Sequence, residues 1–242
     1  MAKNDLVLSG PAALPEGEVK QAVVFLHGYG ANGHDLYGLS SFLKWAFPET
    51  AFYFPNAPQP VPGGEIFGGR QWFDLSFYDP TVLLTEEDAE ALCRRMLPLA
   101  EQVRPLTDRY LTQVQEIHGL KPKDTALVGF SQGGLMALYT ALRRKEEIAA
   151  AVGLSAVAVT FDGQTFSPSD ITSKPPVTLV HGDADDVVPL ASYRLSMANL
   201  KKAGVPVEGF VVPDLMHGID DTAMFHLKNA LRRGFGLETP RP

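Results

Sequence analysis

The sequence predicts an α/β protein, a mostly parallel sheet with helices on both faces, folded as one domain over residues 1–242. Three observations carry this. Short β-branched and apolar runs alternate with segments of helical periodicity from one end of the chain to the other. The 242 residues are 45% hydrophobic and 20% charged, a globular balance in a chain long enough to bury a sizeable core. No internal repeat or low-complexity tract breaks the pattern. The Pro- and Gly-rich stretch from Pro55 to Gly69 reads as a long loop inside the domain, because strand and helix patterns continue on either side of it.

The elements follow in order. Asp5 to Leu8 reads as a short N-terminal strand, and Gln21 to Leu26 and Ala51 to Phe54 as buried strands. A helix starts near Thr85, with Asp88 three residues on as a capping partner. Ala89, Leu92, Cys93, Met96 and Leu97 recur at helical spacing, so Cys93 is expected as a small buried hydrophobe. Pro98 and Pro105 are expected to kink or interrupt this helix. Strands at Thr125–Phe130, Ala149–Leu154, Pro176–Val180 and Val207–Val212 alternate with helices at Leu135–Lys145, Ala191–Ala203 and Thr222–Arg233. The acidic pairs Glu86-Glu87 and Asp220-Asp221 suit helix starts, where the dipole favours negative charge.

Composition excludes several classes of function. The net charge of −7, with no long basic stripe, argues against a nucleic-acid partner. No apolar run approaches the roughly 18 to 20 residues that span a bilayer, and Met1 to Leu6 lacks a signal-peptide stretch. The single cysteine excludes an intrachain disulfide and a cysteine-based zinc site. These features predict a cytoplasmic protein with no stable membrane insertion. They leave monomer and homodimer both open.

Sheets of this kind carry their sites at the carboxyl ends of strands. Two glycine motifs lie there. Gly28-Tyr29-Gly30-Ala31-Asn32-Gly33 matches the dinucleotide fingerprint G-x-G-x-x-G literally. That reading would make the chain a dinucleotide-binding oxidoreductase. It needs an acid at the end of the next strand to hold the ribose, and the strand Ala51–Phe54 ends in Pro55-Asn56. Gly129-Phe130-Ser131-Gln132-Gly133 is G-x-S-x-G between a strand and a helix, the setting of a nucleophile elbow. The elbow turns so tightly that side chains two residues either side of the serine would clash, and glycine relieves this.

A serine needs a base to take its proton, and in this setting the order is Ser, acid, His. His181, His217 and His226 follow Ser131. His217 lies in a loop just past the strand Val207–Val212. His226 sits in a helix pattern and reads as structural. His181 precedes the acids of Gly182-Asp183-Ala184-Asp185-Asp186, which breaks the order, so it reads as a structural strand-end residue. Spacing alone does not choose among Asp183, Asp185 and Asp186. An oxyanion hole needs two backbone N–H groups, one from Gln132 directly after the nucleophile and one from the loop His27-Gly28-Tyr29-Gly30. His27 itself reads as structural, and His27, His34 and Asp35 lack the spacing of a metal set.

These strings resemble the carboxylesterase and acyl-protein thioesterase family of α/β-hydrolases. The matching segments are Phe25 to Gly30, Arg70 to Asp74, Gly129 to Gly134, Tyr139 to Leu142, His181 to Asp185, and Met216-His217, in family order over nearly the whole chain. The resemblance implies a single α/β-hydrolase domain with Ser131 as nucleophile, Asp185 as acid, His217 as base, and Tyr29 and Gln132 as oxyanion donors. Asp186 stands where relatives often carry proline, and Tyr29 where some carry leucine. The implied activity is hydrolysis of a small-molecule carboxylic ester through an acyl-enzyme, with thioesterase or lysophospholipase action as alternatives on the same residues. No cofactor is implied. The loop from Pro58 to Tyr78 carries Ile66, Phe67, Trp72, Phe73, Phe77 and Tyr78 among glycines. It predicts an apolar pocket wall at Ile66, Phe67 and Trp72, and a shallow pocket suited to short and medium acyl chains. Trp72 and Phe73 fit the core equally well.

Overall fold

Residues 6–63, 68–79, 81 and 85–237 are described by a computed structural model. Its centre is a seven-stranded sheet built from β1 (Ala12–Ala13), β2 (Gln21–Leu26), β3 (Thr50–Tyr53), β6 (Thr125–Phe130), β7 (Ala150–Leu154), β8 (Val177–Gly182) and β9 (Val207–Val212). The spatial order is β1-β3-β2-β6-β7-β8-β9, and every neighbouring pair is parallel except β1 with β3. A separate two-stranded ribbon pairs β4 (Gln59–Pro60) with β5 (Arg70–Gln71). The stretch read as a long loop therefore contains one strand of a hairpin. The helices are α1 (Gly33–Tyr37), α2 (Leu39–Leu43), α3 (Glu86–His118), α4 (Gln132–Arg143), α5 (Leu190–Lys202) and α6 (Asp221–Gly234).

Both faces of the sheet are buried, as its continuous apolar strands require. On one face Val24, Leu26, Leu127 and Leu179 pack with Leu97 and Leu111 of α3, Leu135 and Leu138 of α4, and Leu200 of α5. On the other, Val23, Phe25, Val128, Val152 and Val180 pack with Leu43 of α2 and Met224, Leu227 and Leu231 of α6. The alternation within Val23-Val24-Phe25-Leu26 is the pleat distributing one strand between two cores. Each such side chain contributes about 1.5–3 kcal/mol of burial. No helix among the described residues is long and apolar enough to cross a membrane.

Two sequence expectations are corrected. Residues 6–8 form no strand, and Asp5 lies outside the described residues. The Val7 amide is taken instead by the Gln113 side chain at 2.8 Å, and the edge strand forms later, at Ala12–Ala13. Pro98 and Pro105 do not interrupt α3, which runs unbroken for 33 residues. Both prolines sit on the exposed side of the helix, where water can satisfy the carbonyls freed at Arg94 and Glu101. The opposite side is fixed by Cys93, Met96, Leu97, Ala100 and Val103, all buried. The capping box at the start of α3 is complete, Thr85 and Asp88 each bonding the other's backbone amide.

Candidate active site

Ser131 follows β6, the middle strand of the sheet, and α4 begins at the next residue. Its backbone is left-handed, with φ 56° and ψ −120°. Such a conformation costs about 1–3 kcal/mol and persists only where the surroundings enforce it. They do so here: the Ser131 amide donates to the Leu154 carbonyl at 3.0 Å, and the Ser131 carbonyl accepts from Gly134 at 2.9 Å. A Cβ at Gly129 would fall 2.0 Å from the Gly133 carbonyl oxygen, and one at Gly133 would fall 2.1 Å from that of Leu26. The turn closes only with glycine at both places. The Ser131 side chain makes no capping bond to α4, which leaves its hydroxyl for other chemistry.

His217 lies in the loop between β9 and α6, and Asp185 in the loop between β8 and α5. The His217 Nδ1 is 2.9 Å from one Asp185 carboxylate oxygen and 3.1 Å from the other. Asp185 also accepts the amides of Val187 at 3.0 Å and Val188 at 2.8 Å. Its side chain is wholly buried. Burial alone would raise its pKa, but the bonds from His217 and Val188 and the nearby imidazoles hold the carboxyl below the usual carboxylate range. With Nδ1 committed to Asp185, Nε2 is the imidazole nitrogen left for proton transfer. Phe130 packs on the His217 ring at 4.7 Å between centroids.

Ser131 and His217 line one cavity of about 360 Å³, together with Tyr29, Leu75, Tyr78, Val157, Val187 and Val188. The wall is apolar except at the serine–histidine end and the tyrosine hydroxyls. Tyr78 reaches across to donate to the Val187 carbonyl, tying the segment after β5 to the loop that carries Asp185.

The loop Gly28–Gly30 lies beside Ser131; a Cβ at Gly28 would come within 3.2 Å of the Ser131 Cβ. It is fixed from behind. The Gly30 amide donates to the Arg70 carbonyl at 2.9 Å, and the Arg70 amide to that of Ala31 at 2.9 Å. His27 is buried, accepting the Ala57 amide on Nε2 at 2.9 Å, so its Nδ1–H donates to the Gly28 carbonyl at 2.7 Å. It is structural, as its sequence position suggested. Asn32 and Asp35 cap α1 between them, and among the described residues no group of His, Cys, Asp or Glu is placed to hold a metal. The glycine fingerprint leads only into the five-residue α1, with Gly30 tied to Arg70 and Gly33 to Asn56. Those amides are taken, which removes the cradle a dinucleotide phosphate needs.

Trp72 is a correction. It is fully buried, its indole N–H donates to the His27 carbonyl at 2.8 Å, and it does not line the cavity. Ile66 and Phe67 lie outside the described residues. Sequence reasoning also missed the Gln132 side chain. Its Oε1 accepts the Trp72 amide at 2.9 Å and its Nε2 donates to the Phe73 carbonyl at 2.7 Å. The residue after Ser131 thus anchors the segment that buttresses the loop Gly28–Gly30, and no local pattern in the sequence signals it.

The arrangement can deprotonate a serine hydroxyl, orient and charge-balance the resulting imidazolium, and offer backbone N–H groups at the N-terminus of α4 to a developing oxyanion. Comparison with known proteins agrees with such chemistry. The model of the phospholipase/carboxylesterase family matches residues 12–233. An acyl-protein thioesterase 1 from Gibberella zeae is 30% identical over 225 residues, 87% of this chain and 89% of the relative. Esterase YpfH of Escherichia coli K12 is 28% identical over 219 residues, 90% of this chain and 84% of the relative. Among solved structures, esterase PE8 superposes with a TM-score of 0.78 at 36% identity, covering 93% of this chain and 98% of that one.

Proposed function

Because the chain belongs to the phospholipase/carboxylesterase family of α/β-hydrolases, we propose that it hydrolyses carboxylic esters of short and medium acyl chains with Ser131, His217 and Asp185 as its triad. The observation that carries the proposal is His217, held at 2.9 Å by the buried Asp185 and lining the same cavity as the left-handed Ser131. His217 Nε2 takes the hydroxyl proton as Ser131 Oγ attacks the ester carbonyl. Asp185 stays ionised and stabilises the imidazolium. The amides of Tyr29 and Gln132 receive the oxyanion. On collapse the carbon–oxygen bond to the leaving group breaks, and the His217 proton goes to the departing alkoxide. Water, deprotonated by His217, then attacks the acyl-enzyme and releases the acid and Ser131. Each step is proton transfer and charge stabilisation, which these side chains supply without a cofactor.

Leu75, Tyr78, Val157, Val187 and Val188 form the acyl wall. A cavity of about 360 Å³ lies at the small end for ligand pockets, which suits acyl chains shorter than palmitate. The likeness to an acyl-protein thioesterase at 30% identity supports thioester cleavage as a second reading on the same residues. Nucleophile, base, acid and oxyanion amides all come from one chain, so the chemistry does not require a homodimer. The acidic balance and the single, buried Cys93 fit a cytoplasmic enzyme acting on small esters, away from nucleic acid.

The test is the rate of hydrolysis of p-nitrophenyl acetate, butyrate, octanoate and palmitate, with a butyryl thioester alongside. A maximum at butyrate or octanoate is expected. A steady climb to palmitate would overturn the pocket assignment, and no rate above background on any substrate would overturn the activity.

A further inference from the structure

Asp185 has a second imidazole beside it. The His181 Nε2 lies 3.5 Å from one Asp185 carboxylate oxygen and 2.7 Å from the Val188 carbonyl oxygen. A carbonyl only accepts, so the His181 proton resides on Nε2. We propose that His181 is a positioning residue for the Asp185–His217 pair, closing the acid loop by donating its Nε2 proton to the Val188 carbonyl. The inference rests on the triad reading above.

The geometry is a short chain of contacts. The Val188 amide holds an Asp185 carboxylate oxygen at 2.8 Å, while the Val188 carbonyl is held by His181. One peptide segment is thus gripped from both sides. With the Val187 amide also on Asp185, the carboxylate cannot rotate away from His217. The His181 ring also lies close to that carboxylate, at 3.5 Å, and its proximity favours the ionised form.

The surroundings support a function beyond filling space. His181 is 2% exposed and sits among Gly153, Ala156, Leu179, Val180, Tyr193 and Ser196. An aliphatic residue would pack there without the cost of burying a polar ring. Burial lowers the His181 pKa, against the opposing influence of the Val188 carbonyl and Asp185, so the ring is a neutral donor. A neutral donor steadies Asp185 without competing with the imidazolium that forms on His217.

His181→Phe keeps a ring and removes the donor; His181→Gln keeps a neutral N–H donor. On p-nitrophenyl butyrate the phenylalanine variant should lose at least about tenfold in kcat with KM within about twofold, and fluorophosphonate labelling of Ser131 should slow in parallel. Glutamine should recover most of that loss. A phenylalanine variant within twofold of the parent would overturn the proposal. So would a glutamine variant no faster than phenylalanine when both melt at the parent temperature. If the phenylalanine variant does not fold, nitrogen NMR of the parent imidazoles decides: an Nε2–H tautomer at His181 supports the proposal and an Nδ1–H tautomer overturns it. Labelling of the parent reports on the triad separately, because the tautomer is read without turnover.

Discussion

Asp183 accepts the backbone amide of Asp214 at 2.7 Å, so a carboxylate at the end of β8 holds the loop that presents His217. Asp214 is one of the few non-glycine residues with left-handed φ, at 58°. The Asp183 amide donates to Val212 at 3.1 Å and the Ala184 amide to Leu215 at 3.2 Å, so the loops that carry Asp185 and His217 are zipped together. Asp183 therefore supports the loop that carries His217, while Asp185 is the aspartate bonded to that ring. Asp183→Ala should lower kcat roughly three- to thirtyfold, in keeping with about 1 kcal/mol for an exposed hydrogen bond and some added loop freedom. Circular dichroism should stay that of the parent. A kcat unchanged within experimental error would show that the loop does not depend on this contact.

The two neighbouring aspartates should behave differently. Asp185 is buried against His217, whereas Asp186 is exposed. Asp185→Asn should cost at least about a hundredfold in kcat, through loss of charge support and of the productive tautomer. Asp186→Asn should cost less than about tenfold. Steady-state rates of the two variants, measured side by side, check this; a larger loss at 186 would move the acid by one residue.

Gln132→Ala should destabilise the fold by about 2–5 kcal/mol, because it leaves the buried Trp72 amide and Phe73 carbonyl without partners. The backbone amide proposed as an oxyanion donor is retained in this variant. The urea midpoint is the readout, and a midpoint equal to the parent's would mean that the segment 72–73 holds itself in place.

Stability should fall on the acid side. Burial lowers the His27 pKa to about 4, below its ordinary 6.5, despite the opposing Gly28 carbonyl and Asp35. Below pH 6.5 the unfolded chain takes up a proton that the folded protein refuses. The His27 contribution is therefore complete above 6.5 and drains away between 6.5 and about 4, reaching about 3 kcal/mol. His181 acts in the same direction. Asp185, with its carboxyl held below the usual range, adds a further loss at lower pH still. A urea midpoint that drops from pH 7 to about 4.5 is expected. A constant midpoint would contradict the burial of a neutral His27.

The residues proposed as the triad were legible as candidates because their constraints are local. Ser131 needs glycines at 129 and 133 to turn at all, and that requirement is written into neighbouring letters. His217 and Asp185 sit at strand ends that the apolar runs announce. What escaped is non-local. Trp72 reads equally as pocket wall or core, and only the His27 carbonyl, 45 residues away in sequence, decides it. The Gln132 side chain acts on residues about 60 positions distant. The continuity of α3 through Pro98 and Pro105 depends on which side of the helix faces water, a matter of packing against α4 and α5. The cavity wall gathers Leu75, Val157 and Val187 from separate loops, and none carries a motif.

The central claim is that Ser131 is the nucleophile. Its most direct test is reaction of the purified protein with a fluorophosphonate, followed by peptide mass spectrometry. The account predicts one adduct, on Ser131, formed in step with loss of esterase activity, and no adduct in Ser131→Ala, whose rate should fall about a thousandfold or more. An adduct on another residue, or a Ser131→Ala protein hydrolysing esters within about tenfold of the parent rate, would contradict it.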